Sequence, residues 1–194
     1  MAPDDRTPGR TLLRRPERRS QLIRAATEAF ARNGFAATSL DDIAEQAGVT
    51  KVLIYRHFAS KNELYLAALT DVRDRVRAVV GSADSYTGDT VHAFVTAADE
   101  DPDGFRLLFQ HAAREAAFSA YAADLFSDAA HIAETYLRDR VPQRARRRWV
   151  ATLIPKIIVE ITLSWLEEGR PVPVADLGST VRAALAALVE VRAP

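Results

Sequence analysis

The stretch from Thr38 to Phe58, TSLDDIAEQAGVTKVLIYRHF, constrains the fold of this chain more than any other. Leu40, Ile43, Ala44 and Ala47 recur at i, i+3, i+4 and i+7, which is one face of a short helix. Thr38 or Ser39 can cap its start, and Asp41 and Asp42 fall in the first turn, where the helix dipole favours negative charge. Gly48 supplies a sharp stop. Thr50 can cap a second short helix reaching about His57. Two short helices joined by a Gly-containing turn make a helix-turn-helix, whose second helix is built to enter the DNA major groove.

The second helix divides into two faces. Ile54 and Phe58, four apart, are apolar and predict an inner face packed on Ile43 and Ala47, with Ala44 small enough for close approach. Val52 and Arg56 then point outward, flanked by Leu53 and Tyr55. Apolar side chains on the outer face of so short a helix call for a cover. A thymine methyl is one, and Arg is the commonest reader of guanine.

These residues resemble a known family. Thr38-Ser39-Leu40, the run Ile43 to Thr50, Ile54-Tyr55-Arg56-His57-Phe58 and Ser60-Lys61-Asn62-Glu63-Leu64 are similar to the DNA-binding domain of tetracycline-repressor (TetR) type regulators, over roughly residues 21–69. The resemblance implies phosphate contacts from Thr38 or Ser39, Tyr55, His57 and Lys61, and a reading surface that runs from Thr50 and Lys51 through Val52, Leu53 and Arg56. Val52 and Leu53 stand where the family most often has Gly and Thr. They leave open an alternative from another class: a helical interaction protein that keeps the fold without sequence-specific DNA binding.

Net charge is zero, which argues against general affinity for nucleic acid, but its distribution is uneven. Of 26 Arg and Lys, 11 lie in residues 1–61, against 7 of the 26 Asp and Glu, so the half with the helix-turn-helix is basic and the remainder acidic. Residues 1–15 show no periodicity and carry Arg6, Arg10, Arg14 and Arg15. They predict a disordered basic arm that either reaches a minor groove or stays solvated. The chain has no cysteine, which excludes disulfides and thiolate metal sites and fits a reducing cytoplasm. No apolar signal segment opens it. Its longest apolar run, residues 149–166, is broken by Lys156 and Glu160, so no membrane partner is expected.

Helical patterns fill the rest. Helix 1 is expected over Pro16–Asn33, closed by Gly34, and helix 4 from Ser60 to about Val80. GSADSYTG, residues 81–88, is the best boundary in the chain. Beyond it the patterns predict helix 5 from Asp89, helix 6 to about Ala113, helix 7 over Ala116–Arg140, helix 8 over Gln143–Glu168 and helix 9 over Val174–Val191. The expected fold is all-α, with about nine helices. A DNA-binding domain with its connecting helix spans residues 16–80, and a helical ligand-binding and dimerisation domain spans residues 81–194.

No phosphate-binding Gly loop, nucleophile elbow or H-E-x-x-H helix is present, so neither an enzyme nor a cofactor is expected. His57, His92, His111 and His131 lack helical metal spacing, and no metal site is predicted. The resemblance implies a homodimeric transcriptional regulator, most often a repressor, that binds a palindromic double-stranded operator and is released by a small molecule. Helices 8 and 9 are the expected dimer surface, because helix 9 is rich in Ala183, Ala184, Ala186 and Ala187. Phe105, Phe109 and Trp165 are the expected apolar lining of an effector site, with Gln110, His111, Arg114 and Glu160 as its polar groups. The run Arg144, Arg146, Arg147, Arg148 reads as a solvated first turn of helix 8.

Overall fold

The computed structural model describes residues 14–81 and 87–190. Residues 1–13 of the expected arm and residues 82–86 of the expected boundary lie outside the described residues. Among the described residues there are nine α-helices and no strand: α1 (Arg15–Ala37), α2 (Leu40–Ala47), α3 (Lys51–Tyr55), α4 (Lys61–Val80), α5 (Gly88–Glu100), α6 (Pro102–Arg106), α7 (Ser119–Tyr136), α8 (Arg144–Glu167) and α9 (Val174–Glu190). The fold is all-α, with the helix-turn-helix at one end and a helical bundle at the other.

α1 opens at Arg15 and carries Pro16 in its first turn, as the sequence suggested. The Arg14 N–H is taken up by the Glu17 carboxylate at 2.9 Å, which opens the helix before Pro16. Its regular part stops at Gly34, whose φ of 75° breaks the ladder, and one further turn carries the chain to Ala37. Leu22, Ile23, Ala26, Ala29 and Phe30 are buried as the period predicts. On α4 the inward set is Leu64, Tyr65, Ala68, Leu69, Val72 and Val76, while Leu66 is exposed. α4 leaves the small domain and packs its far half against α5 and α6.

The expected single helix 6 is three pieces. Asp101 caps Gly104 N–H at 3.0 Å to start α6, then a π turn covers Leu107–His111 and a 3-10 turn covers Ala112–Arg114. This widened segment packs on α1, so it joins the two parts of the molecule. α7 is shorter than expected, because the chain from Glu115 to Phe118 is spent on a turn that sets Phe118 into the core. α8 has the length and apolar composition of a membrane span but uses them as a core helix, burying Val150, Ile154, Ile158, Val159, Leu163 and Trp165. It runs through Pro155, which lacks the N–H that would bond the Ala151 carbonyl.

Candidate DNA-reading face and the cavity behind it

The turn between α2 and α3 is fixed by local chemistry. Ser39, and not Thr38, is the cap: its hydroxyl accepts from Asp42 N–H at 3.1 Å, and the Asp42 carboxylate accepts from Ser39 N–H at 2.8 Å. The Ser39 bonds, backbone first, hold the Asp42 carboxyl below its ordinary range. Gly48 turns left-handed at φ 64° and ψ 36°. Gln21 then donates to the Ala47 carbonyl at 2.9 Å, which ties α1 to the turn.

α3 buries Ile54 fully, and Phe58 just beyond it, in the same core as Ile43 and Ala47. The opposite face is open. Val52 is 63% exposed and Tyr55 52% exposed, Arg56 is exposed, and Leu53 and His57 are half-covered. Thr50 stands at the start of α3 with its hydroxyl outside any cap bond, and Lys51 pairs with Asp41 at 2.7 Å. Burial first, then the fields of Arg15, Arg19 and Arg18, push the His57 imidazole below the usual histidine range. Thr50, Val52, Leu53, Tyr55, Arg56 and His57 thus come together on one short helix and its immediate ends.

Two of the expected phosphate contacts are engaged inside the protein. Thr38 is buried, and its hydroxyl donates to the carbonyls of Ala29 at 3.2 Å and Gly34 at 2.7 Å, which closes the end of α1. The Lys61 ammonium donates to the carbonyls of Phe35 at 2.8 Å and Thr38 at 2.9 Å and sits 4.4 Å from the Phe35 ring centre. Thr38 is thereby withdrawn from the surface, which leaves the exposed Ser39 as the accessible hydroxyl of that pair, while Lys61 is half-buried. The kink at Gly34 leaves carbonyls that a helix would have satisfied, and these two side chains satisfy them.

Behind the reading head lies a cavity of about 670 Å³. Its walls come from the far end of α4 (Val76, Val80), from α5 (Val91, Phe94), Phe109 of the π turn, α7 (Leu125, Phe126, Ile132) and α8 (Ile154, Pro155, Ile158). Polar groups are few: Arg77 of α4 and Asp128 of α7, which form an ion pair across the two helices, with Thr90 of α5 and Ser127 and His131 of α7. Such a size and lining suit a small, mainly apolar molecule.

Residues 22–68 match the family of bacterial regulatory proteins of the tetR type. Over 171 residues the chain is 35% identical to the HTH-type transcriptional activator FasR of Mycolicibacterium smegmatis, a match covering 82% of this chain and 77% of that protein. The chain belongs to the TetR family. This TetR-family chain is a DNA-binding transcriptional regulator and not an enzyme. It is 50% identical to the transcriptional regulator TtgR of Pseudomonas putida, but only over 58 residues, 30% of this chain and 28% of that one. A tetR-family regulator from Streptomyces coelicolor superposes with a TM-score of 0.70 at 27% identity, covering 91% of this chain and 82% of its own. A regulator from Aquifex aeolicus superposes at 0.73 with 16% identity, covering 88% and 99%, and shows the shared fold.

Of the effector-site residues expected in this TetR-family chain, the cavity takes only Phe109. Phe105 is buried in an aromatic cluster, 5.4 Å from Phe94 and 4.7 Å from Phe109, ring centre to ring centre. Trp165 is buried with its N–H on the Val172 carbonyl at 2.8 Å. Gln110 bonds the Glu167 carboxylate at 2.8 Å. His111 is half-buried, and burial first pushes its imidazole below the usual histidine range. Arg114 and Glu160 are exposed, as is Lys156. The π turn redirects Gln110 and His111 away from the cavity, a rotation that a 3.6 period does not foretell. The missed lining, Val76, Val91, Leu125 and Ile154 among others, carries no separate signal, because an apolar cavity wall and an apolar core read alike.

Proposed function

We propose that this regulator binds a palindromic operator as a homodimer and changes its grip on that operator when a small, mainly apolar effector fills the 670 Å³ cavity. One observation carries the reading: α4 starts directly behind the reading helix, and its far end, Val76 to Gly81, forms a wall of the cavity. A ligand that displaces that wall must reorient α4 and, with it, the spacing of two heads that have to fit successive major grooves. Ser39, Thr50, Tyr55 and His57 position the head on phosphates, Lys51 stands at the start of the reading helix, and Val52, Leu53 and Arg56 read base edges. α8 and α9 form the dimer face, supported by an exposed Trp149 on α8 and by exposed Ala183, Ala184, Ala186 and Ala187 on α9. Such a role is carried out in the cytoplasm.

The deciding experiment is a reciprocal titration. A compound that raises the melting temperature is titrated with and without a duplex taken from upstream of the gene. A coupling of about 1–3 kcal/mol predicts a 5–150-fold change in ligand affinity and the same factor in operator affinity. Equal affinities in the two titrations sink the effector reading.

The sign of control has two readings. Release of a repressor is the family's commonest mode, but a relative that matches over most of both chains is named an activator. A promoter-reporter fusion with and without the regulator separates them.

Arg56 gives a sharper check of the reading face. Arg56→Ala is expected to cost about 1–3 kcal/mol at one or two base pairs and to relax preference only there. Unchanged selectivity on a mapped operator would place the reading face elsewhere.

A further inference from the structure

The chain has two runs of arginine, and the structure treats them differently. In the run opening α8, Arg146 donates to the Val189 carbonyl at 2.9 Å, and Arg147 donates to the carbonyls of Val141 at 3.0 Å and Pro142 at 3.2 Å. These guanidiniums join backbone segments. In the run opening α1, Arg15, Arg18 and Arg19 stand at i, i+3 and i+4, so they share one face of the first turns. That face is turned to the end of the reading helix: the Arg19 guanidinium lies 4.8 Å from the Phe58 ring centre. All three are close enough for their fields to act on His57.

Three cations on one face repel one another, and the positive end of the helix dipole adds to the repulsion. Among the described residues, most acids of this end are engaged elsewhere. Glu17 is taken by the Arg14 N–H, Asp41 by Lys51, Asp42 by Ser39, Glu63 by the Ala59 N–H and Glu28 by Gln46. Among the described residues no carboxylate forms an ion pair with Arg15, Arg18 or Arg19. A compact positive face beside a major-groove helix is the arrangement that a duplex's phosphates neutralise.

We infer that Arg15, Arg18 and Arg19, on the first turns of α1, form a second DNA contact that clamps the phosphate backbone flanking the groove read by α3. The inference rests on the family's DNA-binding role and extends the footprint beyond the helix-turn-helix. It also places part of the salt-sensitive share of binding on α1. The clamp adds affinity for every sequence and no base preference of its own.

The test uses the full chain and a 30-base-pair duplex from upstream of its own gene, with affinity measured by fluorescence anisotropy across a salt series. Each phosphate contact contributes about 0.9 to the slope of log affinity against log salt. R15A/R18A is expected to flatten that slope by about two units per bound subunit. Selectivity over a scrambled duplex should hold. Circular dichroism should show an unchanged melt, and R15K/R18K/R19K should keep the slope. R144A/R148A, which removes two exposed arginines from the other run, should leave the slope unaltered. If the unsubstituted protein binds the duplex and R15A/R18A binds it with the same slope, the clamp is refuted while the DNA-binding reading stands. A slope lost equally in R144A/R148A also refutes it, because the effect would then be one of net charge. Failure of the unsubstituted protein to bind any duplex overturns both.

Discussion

Placing glutamate at both Trp149 and Ala183 is expected to lower operator affinity by about 10²–10⁴-fold, the factor by which two linked heads exceed one. Both side chains are exposed in the single subunit, Trp149 by 60%, so neither substitution disturbs its core. In the proposed dimer they would meet the partner across α8 and α9, and buried unpaired carboxylates there are costly. Sedimentation should show a monomer at micromolar concentration with an unaltered helical spectrum. A double variant that stays dimeric and binds as before would remove α8 and α9 from the interface. Loss of operator binding with the dimer intact would instead point to an indirect effect on the heads.

The second large effect is at the joint between the two parts of the molecule. Tyr65 of α4 is fully buried among Phe30 and Phe35 of α1 and Phe118 ahead of α7, with ring centres 4.8, 4.9 and 4.5 Å away. Its hydroxyl has no hydrogen-bond partner among the described residues. Burial first, then the nearby Glu115, pushes that phenol above its ordinary range, so it stays neutral. Tyr65→Ala is expected to cost about 3–5 kcal/mol, through lost transfer energy and the cavity left behind. Tyr65→Phe should be neutral or stabilising, because it removes an unsatisfied group whose burial costs about 1–3 kcal/mol. Urea unfolding at constant slope measures both. A destabilised phenylalanine variant would show that the hydroxyl has a partner that matters for stability.

The reading head was legible because its determinants are local. The Ser39 cap, a left-handed Gly48 and an i, i+4 apolar pair at Ile54 and Phe58 act within a few residues and operate in the structure as their residue types dictate, whereas the cap expected from Thr50 does not form. Helix existence in the second half was legible for the same reason, since the 3.6 period belongs to each segment alone. The ends were less so. α7 begins late because Phe118 is drawn into the aromatic joint, a long-range demand on a local turn.

What each polar side chain does was decided by the tertiary structure. Thr38 and Lys61 sit where the family resemblance implies DNA contacts, yet the kink at Gly34 presents carbonyls that claim both. The sequence does not mark Arg15, Arg18 and Arg19 as a face, because their neighbour is His57, some forty residues along the chain. The cavity followed the same logic. Its walls are apolar residues from four helices and a π turn, and a void among them depends on how those elements pack. The sequence by itself determined the helices, their order and the reading helix, since these rest on interactions within a turn or two. The tertiary structure alone decided where space is left open and which of the described charges lack an ion-pair partner, because both are sums over distant partners.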